Sequence, residues 1–400
     1  MSIDKQLINK LREETPGTKQ VLHFNNAGAA LMPLPVINTV KAHLDLEAVR
    51  GGYEAAEQVE EQIERFYTLT AQFINCQANE IAFMDNATRA WDMAFYSLPL
   101  KKGDRILTGM SEYASNYLAF LQRAKNIGVD IEVVKNDQSG QLDLENLKNK
   151  LTNDVKLIAI THVPTQGGLI NPVIEIGKIA RQSNIPYLLD ATQSVGQIPI
   201  DVEAIGCDFL CATGRKYLRG PRGTGFLYIR EKMLNQSEPV FIDLHSATWT
   251  AKNQYKWRAD ARRFEVWEQN IAAKLGLAKA IEYALDLKMP TIWSRIYNLA
   301  SLLRQRLAQL PNLQLQDLGE NQCGLVTFTL KNLSAQDIKK HLAQLNINVS
   351  VSLQEYSRLD LESRNITDLV RASVHYYNTE EEIESFCTAL KNLNTSLNSR

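Results

Sequence analysis

The chain has 400 residues, and its 44 Lys and Arg against 45 Asp and Glu leave a formal net charge of −1. Such a balance creates no overall field for nucleic acid or for an anionic membrane surface, so neither partner is expected. The length allows a large core and roughly two or three domains, no apolar run reaches membrane-spanning length, and the polar, amphipathic start through Glu14 does not read as a secretory signal.

An N-terminal helix is expected within residues 1–19. From His23 to Pro33 a short strand gives way to small residues, Asn26-Ala27-Gly28-Ala29-Ala30, which let a backbone approach a ligand closely or cross tightly at a domain boundary. Helical periodicity follows at Leu34–Val49 and Tyr53–Asn75. Glu80–Asp85 reads as a strand, and Asn86-Ala87-Thr88-Arg89 opens a helix running to about Leu98. The free N–H groups and dipole of a helix N-terminus suit a phosphate, and the same residues also suit an ordinary cap. Asp104–Thr108, Asp130–Val134 and Leu157–Ile160 continue the strand series, and His162 just beyond reads as a core histidine. Asn171–Asn184 is a helix. Pro186–Leu189 and Phe209–Ala212 are the continuous apolar runs of buried parallel strands. Ligands in open α/β sheets sit beyond the carboxyl ends of such strands, so Asp190 and Lys216 are expected to face one crevice.

Alternation of strand and helix from about residue 80 to 230 predicts a mostly parallel, doubly wound α/β sheet. Helices at Asn270–Leu287 and Thr291–Leu310, then elements at Gly324–Leu330, Ala335–Leu345, Ile347–Val351, Leu369–Val374 and Thr379–Leu390, predict a smaller α/β domain. The expected division is a large domain over 20–265 and a small one over 266–400. The five cysteines, at positions 76, 207, 211, 323 and 387, are odd in number and lie mostly in apolar runs, which fits small buried hydrophobes in a reduced, cytoplasmic protein. Cys207 and Cys211 lack a second pair and a nearby histidine, so no metal site is expected.

A lysine and an acid facing one crevice have a specific use. Pyridoxal phosphate is an electron sink that needs a lysine to form a Schiff base and a carboxylate to keep its pyridine nitrogen protonated. No Gly-x-Gly-x-x-Gly follows an early strand, so a nicotinamide-dependent dehydrogenase is not the reading.

Asp190-Ala-Thr-Gln193, Asp208-Phe209, Thr213-x-x-Lys216 and Gly220-Pro221-x-Gly223-x-Gly225 together resemble the signature of the class V aminotransferases. This is the branch of fold type I pyridoxal-phosphate enzymes that includes cysteine desulfurases, cyst(e)ine C–S lyases, kynureninase and isopenicillin N epimerase-like proteins. The resemblance runs from Asn25 to Thr379. It implies that Lys216 carries the cofactor and acts as base at Cα, and that Asp190 holds the ring nitrogen. By the same resemblance Gln193 and Thr165 lie near the phenolic oxygen, Ala87, Thr88, Arg89, Thr213 and Arg215 hold the phosphate, and Tyr113 stacks on the ring. Asn26, Ala27 and Arg371 bind the substrate, Arg371 through a guanidinium fork on the carboxylate. A homodimer is implied as well.

The sequence departs from the family pattern at four places. Tyr113 stands where desulfurases carry histidine, and a tyrosine cannot take over histidine's proton transfer near neutral pH. Arg215 stands where many relatives have histidine, and Trp267-Glu268 replaces a Gly-Thr pair that reaches the partner subunit. The segment Ser350–Arg364 has no cysteine, so relay of sulfur through a persulfide there is not expected. The reading is β-elimination of sulfur from a cysteine derivative. Transamination and epimerisation share its first deprotonation and stay open as alternatives, and a non-enzymatic binding protein on the same fold is the rival of another class.

Overall fold

In the computed structural model, which describes residues 3–398, seven strands build one central sheet. They are β1 (Ile81–Met84), β2 (Arg105–Gly109), β3 (Asp130–Val134), β4 (Val155–Thr161), β5 (Tyr187–Asp190), β6 (Phe209–Thr213) and β7 (Gly225–Ile229). Their order is β1-β7-β6-β5-β4-β2-β3. Neighbours run parallel except at β7, which is antiparallel to both β1 and β6. Every residue of β1, β5, β6 and β7 is buried, because a core lies on each face. Ile81 and Phe83 enter one core, and Ala82 and Met84 enter the other. Strands covered on both faces need no polar alternation, which is why these runs are apolar throughout.

Among the helices are α1 (Lys5–Glu13), α2 (Leu34–Arg50), α3 (Glu60–Ile74), α4 (Ala87–Tyr96), α5 (Ala114–Ile127), α6 (Val173–Gln182), α7 (Ile271–Leu287), α8 (Met289–Ala308) and α9 (Glu380–Asn398), some of them started by a side-chain cap. Asn86 starts α4 by accepting a hydrogen bond from the Arg89 amide at 2.9 Å, and Asn270 starts α7 by accepting one from Ala273 at 2.9 Å. Gly128 closes α5 with φ +79°, a left-handed conformation that glycine adopts without strain. Trp91 and Phe95 of α4 pack on Phe120 of α5 with ring centroids 5.3 Å from it. Truncating such a buried aromatic to alanine costs about 3–5 kcal/mol.

A second, four-stranded antiparallel sheet has the order β8 (Leu313–Leu315), β9 (Leu325–Leu330), β11 (Asp368–Ser373), β10 (Ser350–Leu353). The N-terminal segment is stitched to this part of the chain. Leu22–His23 pairs in parallel with Ile347–Asn348, and the Ala27 amide donates to Ser373 Oγ at 2.8 Å. The small residues that follow Asn25 are thereby held beside β11.

Two expected elements differ from the sequence reading. The helix expected over Tyr53–Asn75 is two helices, Gly52–Gln58 and Glu60–Ile74, interrupted at Val59 with φ −117° and ψ 19°. The β-branched Val59 takes a non-helical conformation, and Glu60 and Glu61 supply the acidic first turn that favours a fresh start. The strand expected over Ile347–Val351 is split around Val349, because its two halves pair with different partners, Leu22–His23 and β11. The last helix is capped by Thr379, whose Oγ1 accepts from the Glu382 amide at 3.3 Å while Glu382 Oε2 accepts from the Thr379 amide at 3.2 Å. That reciprocal pair is a capping box. Asn378 Oδ1 instead accepts from the His375 amide at 2.8 Å.

Glu265, at the end of the sequence Arg263-Phe264-Glu265, is a buried knot. It accepts from the Tyr67 hydroxyl at 2.9 Å and from the Phe83 amide at 2.7 Å, and His245 Nε2 lies at 3.1 Å. Burial alone raises its pKa, but the Lys274 charge and these hydrogen bonds outweigh burial and bring it down to about 2. The knot thus joins α3, β1, α7 and the segment after β7.

Candidate active site

A cavity of about 250 Å³ opens at the carboxyl ends of β4, β5 and β6 and is closed from the other side by β10 and β11. Ala27, Ala87, Thr88, Tyr113, Thr165, Asp190, Gln193, Thr213, Arg215, Lys216 and Arg371 all line it, although they come from segments up to 344 positions apart in sequence, Ala27 to Arg371. Asp190 and Lys216 do face one crevice.

Each side chain is held by the element that carries it. Ala87 and Thr88 are the first two residues of α4, so their amides are among those a helix leaves unpaired. Gly225, which opens β7, lets this helix start approach the sheet: a Cβ on Gly225 would lie 2.5 Å from the Ala212 carbonyl and 3.0 Å from the Asn86 backbone. Asp190 ends β5, accepting from the Thr192 amide at 2.9 Å and from Asn116 Nδ2 at 2.9 Å. Asn116 also donates to Glu112 Oε1 at 2.8 Å. Glu112 further accepts from Thr161 Oγ1 at 2.7 Å and Thr108 Oγ1 at 2.8 Å. Burial raises the Glu112 pKa, and the hydrogen bonds from Thr161, Asn116 and Thr108 work against that rise.

Lys216 stands in the turn between β6 and β7, and its pKa is pushed well below the ordinary lysine value by burial first, then by the Arg215 and Arg371 charges. Both effects favour the neutral amine more than in an exposed lysine. Arg371, in the middle of β11, donates from Nη1 to the Thr165 carbonyl at 3.0 Å and to Thr165 Oγ1 at 2.6 Å. Its Nε is buried without a partner, and burial brings its pKa down to about 10. Arg215 reaches the Gly28 carbonyl. Gln193 Nε2 donates to the Ala27 carbonyl at 3.1 Å, which leaves its second amide hydrogen free for a ligand.

Two expected site residues are not brought to the cavity. The Asn26 side chain is fully buried, donating to the Ser373 carbonyl at 2.7 Å and accepting from the Tyr377 hydroxyl. It fixes the N-terminal segment rather than facing a ligand, because every polar atom it has is already engaged. The Arg89 guanidinium lies outside the cavity lining, 5.5 Å from the Phe241 ring centre. His162 is buried outside the lining, and burial lowers its pKa to about 4. Asp208 of the same motif accepts from the Tyr187 amide at 3.0 Å and serves the sheet.

Asn86, Asn116, Thr161 and Tyr356 line the cavity without having been singled out as site residues. Asn116 had a signal, its place four residues after Glu112 where α5 begins. Tyr356 had none.

A family model for aminotransferase class-V matches residues 22–386. The chain belongs to the class V aminotransferases. Members of this family are pyridoxal-phosphate-dependent enzymes, and this chain is one. It is 31% identical over 399 residues to a probable cysteine desulfurase of Pyrococcus abyssi, covering 97% of this chain and 98% of that one. It is 28% identical over 410 residues to a cysteine desulfurase of Escherichia coli O8, with 98% and 99% covered. Among solved structures, an apo cysteine desulfurase from Thermococcus onnurineus NA1 superposes with a TM-score of 0.91 at 28% identity, covering 97% of this chain and 98% of that one. A cystine C–S lyase, C-DES, solved with its product cysteine persulfide, shares the fold with a TM-score of 0.86 at 24% identity, over 94% and 99% of the two chains.

Proposed function

We propose that this class V aminotransferase cleaves the C–S bond of cysteine or an S-substituted cysteine. The observation that carries the reading is the convergence of Lys216, Asp190 and Arg371 in a cavity with no cysteine in its lining. The cavity chemistry fits pyridoxal phosphate. Its two guanidinium cations, Arg215 and Arg371, outnumber its one lining carboxylate, Asp190, which suits a ligand carrying a phosphate and a substrate carrying a carboxylate. The partnerless Arg371 Nε and the spare Gln193 hydrogen are further donors awaiting acceptors.

When bound, the cofactor supplies an electron sink for the bonds at Cα. Lys216 would hold it covalently and, once displaced by the substrate's amino group, its freed amine would take the proton from Cα, a role its lowered pKa favours. Asp190, oriented by Asn116 and the Thr192 amide, would pair with the ring nitrogen. Gln193 would donate to the phenolic oxygen. Ala87 and Thr88, with Thr213 and Arg215, would receive the phosphate at the start of α4. Tyr113 would face the ring. Arg371 would take the substrate carboxylate, and the hydroxyl of Thr165 holds that guanidinium in place. Ala27 would border the substrate through its backbone.

Elimination balances without a thiol acceptor. The Cα proton goes to Lys216, the Cβ–S pair leaves with sulfur as a thiolate, and the three-carbon fragment hydrolyses to pyruvate and ammonia. The relatives named as cysteine desulfurases support sulfur chemistry. All five cysteines are unpaired, four of them buried, which supports a reducing, cytoplasmic setting. Among the described residues no helix is long and apolar enough to cross a membrane. The separate sheets support a large domain over 20–265 and a small one over 266–400, with residues 22–25 crossing to the small one. Val49, Tyr53, Leu244, Trp249 and Trp267 are exposed apolar side chains, which supports a homodimer.

The test is the visible spectrum of the protein mixed with pyridoxal phosphate. Wild type is expected to give a band that borohydride abolishes, and Lys216→Ala to give none. Holo protein is then expected to release pyruvate and a thiol in equal amounts from an S-substituted cysteine, and pyruvate and cysteine persulfide in equal amounts from cystine. Exchange of the amino group with a keto acid and no thiol would instead make it a transaminase.

A further inference from the structure

We propose that Tyr356 is the specificity-determining residue for the substrate's sulfur substituent. This rests on the function proposed above and adds which group of the substrate the residue reads.

Tyr356 lines the cavity yet is 41% exposed, so it stands at the mouth, with one part of its ring toward the cavity and another toward water. It lies on the strap that leaves β10, the turn Gln354–Tyr356 followed by the short helix Arg358–Ser363. A mouth residue on a loose strap would not discriminate, but this strap is pinned on both sides of the ring. Before it, the Gln354 amide donates to the Thr367 carbonyl at 2.9 Å. Directly after it, Ser357, fully buried, donates to the Glu112 carbonyl at 3.2 Å. Asp360, 4% exposed, accepts from Gln166 Nε2 at 3.0 Å and from Arg364 at 3.3 Å. Glu112 and Gln166 belong to the part of the chain that carries the central sheet, and Arg364 donates in turn to the Gln316 carbonyl at 2.7 Å, beside the second sheet. The ring is thereby fixed relative to both Arg371 and Lys216.

Anchoring the carboxylate on Arg371 and presenting Cα to Lys216 leaves Cβ and its sulfur pointing along the remaining open direction, the mouth. A divalent sulfur and its substituent make favourable contacts with an aromatic ring, and Tyr356 is the aromatic side chain exposed at that opening. The substrate class read by this contact is the S-substituted cysteines, thioethers and disulfides, whose substituent extends past the ring to water.

The experiment is binding to the holo protein, followed by the change in cofactor absorbance, with S-benzylcysteine, cystine and alanine. Alanine has no sulfur and reports the Arg371 and Lys216 contacts alone. Tyr356→Ala is expected to weaken S-benzylcysteine and cystine about tenfold while alanine changes by less than about twofold. Tyr356→Phe, which keeps the ring, is expected to restore the ligands' affinity. Asp360→Asn, which loosens the strap, is expected to give a smaller loss with the same preference. Equal weakening of alanine and the sulfur ligands, or no change for any of them, overturns the proposal. Because binding is read rather than turnover, this outcome is independent of whether thiol is released. Absence of thiol with tight, Tyr356-dependent binding would sink the cleavage reaction alone.

Discussion

At the residue scale, a buried lysine is an expense that its chemistry justifies. Lys216 is pulled below its ordinary value of 10.5 by burial and by two guanidinium neighbours. The unfolded chain therefore keeps a proton on this amine up to about pH 10.5, and the folded chain gives it up earlier. Folding stability rises with pH between those two values, so the penalty is complete below the folded pKa and vanishes above 10.5. Lys216→Met is expected to stabilise the cofactor-free protein at pH 7, because it removes the buried charge that the folded state disfavours. Urea unfolding at pH 7, 8, 9 and 10 measures it, and the gain must shrink as pH rises. A pH-independent gain would mean that packing, not charge, is responsible. The contrast between Asn26 and Asn116 belongs to this scale too. Both are buried asparagines, but the hydrogen bonds of Asn26 tie the N-terminal segment to Ser373 and Tyr377, and those of Asn116 reach Asp190.

At the scale of elements, the phosphate seat depends on where α4 starts. That start is set by one side chain, Asn86, bonded to the Arg89 amide, and by a glycine, Gly225, that lets the helix approach the end of β6. Asn86→Ala is expected to cost about 1 kcal/mol of stability, the usual worth of such a cap. It should also weaken retention of pyridoxal phosphate more than it weakens the fold. Chemical denaturation together with dialysis against buffer lacking cofactor separates the two effects. An unchanged cofactor affinity would mean that the helix N-terminus is not the seat. The motif residues that mark these elements were legible because short strands buried on both faces are apolar runs and helix caps are local. The interruption at Val59 and the split strand at Val349 were not, since each is decided by what the chain packs or pairs against.

At the scale of the whole molecule, the exposed apolar side chains are not scattered. Val240, Phe241, Ile242 and Leu244 follow one another before an exposed hairpin, Ala247–Ala251 with Gln254–Trp257, that carries Trp249 and Tyr255. The buried Glu265 knot, with His245 at 3.1 Å, ties the same segment to the body. A surface of this kind, held in place but uncovered, is what a second copy would cover. Sedimentation equilibrium is expected to give twice the chain mass for wild type, and Leu244→Asp with Trp249→Asp is expected to shift it toward the monomer. A monomeric wild type removes the dimer.

The class of the fold and the family were already legible in the chain, which also puts forward a lysine, an acid and an arginine for the reaction proposed here. Those features rest on local physics: apolar runs that can only be buried strands, glycines that only a tight turn needs, and a fixed spacing between a strand end and a lysine. Only the tertiary structure decided which neighbours share the cavity. It places Asn26 and Arg89 outside the cavity lining, joins Asn116 to Asp190, and brings Tyr356 to the mouth by three ties to distant segments. Side-chain direction and long-range hydrogen bonding settle those placements, and neither leaves a periodicity in the chain.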